Sequence, residues 1–139
     1  VGLDSSILIY HLEDLPPYSA LTEAVFVALA EGKFTAVLST ISVTELLVKP
    51  FAEGRAERVA ACEAFLQGLP HARWVAPHPE IAREAARLRA SYRLRTPDAL
   101  LVATALVEGA KGFLTNDQAL RRVEAGEELH VVVLEEYVE

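Results

Sequence analysis

Sixteen of the twenty acidic residues are glutamates, and only four are aspartates: Asp4, Asp14, Asp98 and Asp117. Amides are equally scarce, with Asn116 the only Asn and Gln67 and Gln118 the only Gln. A chain this sparing of Asp and Asn invites the question of what each one does. Three of the four Asp fall where a strand-like run gives way to a helix-like one: Asp4 after Val1 to Leu3, Asp117 after Gly112 to Thr115, and Asp98 at the start of an apolar helix. Glu45 lies in the short helix that follows a strand ending near Leu38. Open α/β sheets bind ligands at the carboxyl edge of their strands, where these junctions lie. Four carboxylates on one edge repel each other, by roughly 3 kcal/mol per pair at about 5 Å and an effective dielectric of about 20. A divalent cation is the ordinary compensation, and an all-oxygen donor set suits Mg²⁺ or Mn²⁺.

Each acid also has a purely structural reading. Asp4 is placed to cap the helix that follows it, with Ser5 and Ser6 as rivals. Ser42-Val43-Thr44-Glu45 matches a capping box. Asp98 follows Thr96-Pro97 as a first-turn acid behind an N-cap and an N1 proline. Asp117 or Asn116 is placed to cap the last helix. Capping alone, however, is served equally well by Ser and Thr, which this chain uses freely. The joint placement therefore favours a common site over four separate caps.

The elements that position these residues follow from periodicity. Strand-like runs cover Val1 to Asp4, Phe34 to Leu38, Arg73 to Ala76, Gly112 to Thr115 and His130 to Leu134. Helical spacing marks Ser6 to Leu12, Tyr18 to Glu31, Ile41 to Val48 (ended by Pro50), Glu57 to Gln67, Glu80 to Tyr92, Pro97 to Glu108 and Gln118 to Val123. Ala36-Val37-Leu38 and Val131 to Leu134 are apolar without alternation, so both faces of their sheet are covered. Strands alternating with helices imply parallel pairing through right-handed crossovers. The expected fold is a three-layer α/β/α sandwich with a mostly parallel central sheet, in one domain over residues 1–139. From Ala99 to Val107 the only polar residue is Thr104, which places that helix at the centre of the domain.

Composition narrows the rest. About half of the residues are apolar and a quarter charged, as in a globular protein with a real core. Cys62 is the only cysteine, and His11, His71, His78 and His130 have no H-x-H or H-x₃-H spacing. Intrachain disulfides and Cys-rich zinc sites are thereby excluded, and a zinc enzyme is not expected. No apolar run approaches the roughly 20 residues of a membrane span, and no signal peptide is legible. A cytoplasmic protein is the expectation, with the initiator Met removed. Arg exceeds Lys by 10 to 3 and labile side chains are few, as in thermophiles and equally in GC-rich genomes.

The ordered set of motifs resembles the PIN-domain ribonucleases. Val1-Gly2-Leu3-Asp4-Ser5-Ser6-Ile7-Leu8 is similar to their opening strand, Glu45 after Ser39-Thr40-Ile41-Ser42 to their helical Glu, Thr96-Pro97-Asp98-Ala99-Leu100 to their third-acid helix, and Phe113-Leu114-Thr115-Asn116-Asp117 to their T-x-D motif. The resemblance spans essentially the whole chain. It implies a Mg²⁺- or Mn²⁺-dependent endoribonuclease in which Asp4, Glu45 and Asp98 hold the main metal and Asp117 completes that site or assists a second one. Water would attack in line, leaving 5′-phosphate and 3′-hydroxyl ends. Ser6 and Thr115 would orient carboxylates or a phosphate, and Asn116 would line the site. Short PIN proteins are most often VapC-type toxins of toxin–antitoxin pairs, so the resemblance also implies a cognate antitoxin and a homodimer or higher homo-oligomer.

The net charge of −7 sits awkwardly with RNA, whose phosphates are usually met by Lys and Arg. A local remedy lies between Arg83 and Arg95, where Arg83, Arg87, Arg89, Arg93 and Arg95 stand against one acid, Glu84. Arg89, Arg93 and Arg95 are the candidate RNA contacts, and a solvated face paired with Glu80 and Glu84 is the alternative. Two other functional readings compete: a non-catalytic PIN-like interaction module, and a phosphotransfer domain. The second is weakened by Ser6, which stands where such phosphatases place a second Asp, and by Lys111 as the only late Lys.

Overall fold

The computed structural model describes all residues from Val1 to Glu139. Five strands, β1 (Gly2–Leu3), β2 (Ala36–Ser39), β3 (Ala72–Val75), β4 (Gly112–Thr115) and β5 (His130–Val133), form one sheet in the order β3-β2-β1-β4-β5. Every pairing is parallel. Six helices connect them: α1 (Ser5–Leu12), α2 (Ser19–Ala30), α3 (Ile41–Ala52), α4 (Ala56–Gln67), α5 (Pro79–Tyr92) and α6 (Thr96–Val107). Two 3₁₀ helices, Gln118–Ala125 and Leu134–Tyr137, flank β5.

The apolar strands divide their side chains between two cores. Phe113, Val131 and Val133 join α5, α6 and the Gln118–Ala125 helix on one face, while Leu3, Ala36, Leu38 and Leu114 join α1 to α4 on the other. This is the three-layer sandwich that unalternating strands require. Helix α6 packs across β2, β1 and β4 and is itself backed by α5, which explains an apolar surface nearly all round. Its approach to the sheet is very close. A Cβ on Gly2 would lie 2.7 Å from Phe113 Cδ1 and 2.8 Å from Ala105 Cβ, so only glycine fits there.

The chain steps outward from β1 to β2 to β3 and then crosses back to place β4 on the other side of β1. The lateral progress of the chain reverses between β1 and β4, and the crevice above that switch point is where parallel sheets bind ligands. Leu3 is paired with Leu114, so Asp4 emerges beside Thr115 at this crevice.

Three local expectations are revised. Pro50 does not end α3, which continues to Ala52. A proline in the last turn forfeits only one backbone bond, and the stop is made by Gly54 at φ 64°. The Gly54 amide bonds the Phe51 carbonyl and the Arg55 amide the Pro50 carbonyl, the two bonds of a Schellman cap. Helix α6 begins at Thr96, which puts Arg95 at the N-cap and Pro97 at the second helical position. The segment after Asp117 is a 3₁₀ helix running to Ala125.

Candidate active site

Asp4 is the deepest of the four carboxylates, at 8% exposure. The Thr115 hydroxyl donates to its Oδ2 at 2.5 Å and accepts the Asp117 amide at 3.0 Å. One threonine therefore ties the end of β1 to the loop after β4. Burial is the largest influence on Asp4 and raises its pKa to about 6; the Thr115 hydrogen bond opposes the rise, and the charges of Asp98 and Glu45 add to it. Asp4 thus lies within electrostatic reach of two further carboxylates from distant parts of the chain.

Glu45 projects from α3 and is exposed. Ser5 Oγ donates to Glu45 Oε1 at 2.7 Å and lies 2.8 Å from Ser42 Oγ. Each hydroxyl carries one proton, so with Ser5 donating to Glu45, Ser42 donates to Ser5. The capping-box reading of Ser42 and Glu45 is not realised, because α3 begins at Ile41 with no side-chain cap. Ser5 and Ser42 are the positioning residues that sequence reasoning missed. Their signal is the i,i+3 spacing of Ser42 and Glu45, which a capping box also uses.

Asp98 sits in the first turn of α6, 14% exposed at its side chain, and Arg95 Nε donates to its Oδ2 at 3.1 Å. The Arg95 pKa is raised, first by that hydrogen bond, then by the charges of Asp98, Asp117 and Glu45. The arginine therefore feels three of the four acids. Asp117 caps its 3₁₀ helix, accepting the Ala119 amide at Oδ1 over 2.9 Å. The capping reading holds for this residue, and one bond to Oδ1 leaves its other oxygen available.

The supporting residues divide. Thr115 contacts Asp4 directly. Ser6 Oγ is buried with no hydrogen-bond partner. Asn116 turns away from the carboxylates: its amide donates to the Tyr10 hydroxyl at 3.1 Å and its Oδ1 accepts the Glu135 amide at 2.8 Å. It fastens the C-terminal segment to α1 instead of lining the site.

The arginines divide too. Arg87 binds Glu84 and Glu127, and Tyr92 donates to the same Glu127 at 2.6 Å. Arg89 Nε donates to the Leu94 carbonyl at 3.0 Å. Arg93, at φ 57°, is the left-handed residue that ends α5. Its side chain makes no ion pair.

The donor set suits a hard divalent cation: carboxylates with hydroxyls, and neither His nor Cys among them. A buried carboxylate pressed by like charges and a buried, unpartnered Ser6 hydroxyl fit the same purpose. As the side chains stand, no three of His, Cys, Asp and Glu form a ready cage. Asp98 is turned toward Arg95 and Glu45 toward Ser5.

A parallel α/β domain with acids at its topological switch point belongs to the open-sheet folds that bind ligands at the carboxyl edge of their strands. Within that class the family is established by its sequence profile, which matches residues 1–126 as a PIN domain; the chain belongs to the PIN domain family. No curated protein matches it in sequence. Among solved structures it is similar to VapBC2 from Rickettsia felis bound to a promoter DNA fragment, at 16% identity and a TM-score of 0.72, covering 94% of this chain and 96% of that one. FitAcB from Neisseria gonorrhoeae matches at 18% identity and a TM-score of 0.71, over 95% and 96%. A toxin–antitoxin complex from Klebsiella pneumoniae matches at 20% and 0.68, over 95% of each chain. At such identities the likeness shows the fold.

Proposed function

We propose that this protein is a divalent-metal-dependent endoribonuclease and the toxin of a type II toxin–antitoxin pair. The observation that carries the reading is the buried Asp4 carboxylate over the β1–β4 switch point, within the fields of Asp98 and Glu45. Membership of the PIN family supports nuclease chemistry, and the similarity to a toxin–antitoxin complex from Klebsiella pneumoniae supports the biological setting. Asp4, Glu45 and Asp98 would hold the ion, with Asp117 completing the site. Mg²⁺ or Mn²⁺ bound there supplies Lewis-acid stabilisation of charge on the scissile phosphate and lowers the pKa of water.

The chain's own residues do the remaining work. Thr115 fixes the rotamer of Asp4, and its donated proton favours the charged carboxylate. Ser5, itself bonded to Ser42, holds the Glu45 side chain in place. Arg95, exposed and bonded to Asp98, and Arg93, exposed two residues before it, are placed to meet RNA phosphates. Two partner surfaces are available: a groove between α1, α3 and α4 lined by Ile9, Leu12 and Leu46 and, on the other face of α3, Val48 and Phe51 at 60% and 65% exposure. An antitoxin and a second copy are the occupants this reading assigns to them. A cytoplasmic setting belongs to the same reading, because its substrate is RNA. No helix is long and apolar enough to cross a membrane.

The test is incubation of purified protein with structured and unstructured RNA in Mg²⁺ and in EDTA, with the ends of the products mapped. Cleavage in Mg²⁺ alone, leaving 5′-phosphates, is expected. Cleavage undiminished in EDTA overturns the metal assignment, and RNA left intact under all conditions favours the non-catalytic interaction module.

A further inference from the structure

We infer that Arg95 is a tethered counter-cation, held on Asp98 in the metal-free protein, which competes with a divalent ion for that carboxylate. The inference rests on the metal site proposed above. Of the nine ion pairs in the molecule, only the one between Arg95 and Asp98 involves any of the four site carboxylates. The guanidinium makes this contact through Nε at 3.1 Å, and its two terminal amino groups have no hydrogen-bond partner. It stands outside the carboxylate it neutralises, since its side chain is 80% exposed where that of Asp98 is 14% exposed.

The backbone that carries Arg95 is held still. Arg89 Nε binds the Leu94 carbonyl, and Arg122 reaches the Tyr92 and Arg93 carbonyls at 3.2 and 3.5 Å. Leu94 is buried between them. Arg89, which reads in the sequence as an RNA contact, therefore joins Arg122 in bracing the 92–95 turn. With the backbone fixed at both sides, the part free to move is the long Arg95 side chain, which pivots about its own χ angles. In the metal-free state its charge relieves the repulsion among Asp98, Asp117 and Glu45. An arriving divalent ion offers more charge to the same carboxylate, and the two cations repel each other across it.

Competition of this kind weakens metal binding by up to the strength of the pair. For an exposed i,i+3 pair that amounts to a change of roughly 1.4- to fivefold. The experiment is a calorimetric titration of metal-free protein with Mn²⁺, without RNA, comparing wild type, Arg95→Gln, Arg83→Gln and Asp4→Asn. Arg83 lies on α5 and makes no ion pair, so its substitution removes the same charge without touching Asp98. Arg95→Gln should bind Mn²⁺ more tightly than wild type, by roughly 1.4- to fivefold, Arg83→Gln should match wild type, and Asp4→Asn should lose binding. Equal affinity in wild type and Arg95→Gln overturns the inference while leaving the metal site standing. Equal tightening in Arg83→Gln also overturns it, by reducing the effect to net charge. Absence of binding in both wild type and Arg95→Gln removes the metal site and the inference together. Thermal unfolding of each variant distinguishes loss of folding from loss of binding.

Discussion

The acidic edge of the sheet and the basic stripe of α5 look alike in the sequence, since each is a concentration of one charge beyond what its neighbours balance. The folded chain treats them oppositely. Two of the stripe's arginines are engaged locally, Arg87 by Glu84 and Glu127 and Arg89 by the Leu94 carbonyl. Glu127 responds as a paired acid, its pKa lowered chiefly by Arg87. The carboxylates are brought together with one exposed arginine among them, and the most buried has its pKa raised. Charges that find partners at home build structure, whereas four carboxylates that share one exposed arginine keep charge to offer a ligand. That difference is open to attack from either side.

The largest effect is expected on catalysis. Asp4→Asn and Asp98→Asn, each preserving shape while removing charge, should lower RNA cleavage in Mg²⁺ by at least about 100-fold, the scale on which removing one preorganised electrostatic group acts. Arg87→Gln should leave cleavage within about twofold. Initial rates on a defined RNA decide it, and comparable losses in all three variants would erase the contrast between the two regions.

Next comes stability against pH. In the metal-free protein Asp4 titrates near 6, above its ordinary 3.8, so the folded chain binds a proton there that the unfolded chain has released. Stability from this group is fully present below about pH 4, declines as pH rises towards 6, and stays low above that. A displacement of about two pKa units corresponds to about 3 kcal/mol. Asp4→Asn should therefore be more stable than wild type at about pH 7.5 in EDTA, by up to about 3 kcal/mol, with the two converging near pH 4. Thermal or urea unfolding at the two pH values measures this, and a difference independent of pH would show that the carboxylate is not under the strain described.

Much of this arrangement is legible in the sequence, and the illegible part has a common cause. The unalternating run from Val131 to Leu134 and the apolar run after Asp98 announce a sheet covered on both faces, because burial leaves a mark on every position of an element. The stop at Gly54 is visible as a turn signal, while Pro50 carries less weight in the last turn than its type suggests. The four acids stand out through their junctions. What periodicity cannot carry is which neighbour a side chain turns to. Ser5 and Ser6 are adjacent and chemically identical, yet Ser5 meets Glu45 and Ser6 meets nothing. Asn116 abuts Asp117 but serves the C-terminal segment. Such choices are settled by atoms 40 residues away in the first case and 19 in the second, and leave no local trace.

A smaller effect follows on the basic side. Arg87 joins α5 to the loop before β5 through Glu127, where Tyr92 also donates. Replacing Arg87 with Ala should cost about 1 kcal/mol, since the pair is bidentate but half-exposed. Glu127→Gln should cost a similar amount, and the double variant less than the sum of the two. Urea unfolding reads all three, and strict additivity would mean that the pair contributes nothing beyond its separate contacts.

The smallest effect sorts the arginines by whether they are already engaged. For single-stranded RNA the logarithm of affinity falls with the logarithm of salt concentration by about 0.7 per phosphate contact. Arg93 has no ion-pair partner and sits two residues from Arg95, so Arg93→Gln should reduce that slope by about 0.7 if it meets one phosphate. Arg87→Gln removes the same formal charge but from a guanidinium already bound by two glutamates, and its slope should match wild type. Binding in EDTA to an unstructured RNA, measured across a salt series, separates the cases without interference from cleavage. Equal slopes for Arg93→Gln and wild type would place the RNA elsewhere, and a reduced slope for Arg87→Gln would show that intramolecular pairing does not withdraw an arginine from RNA.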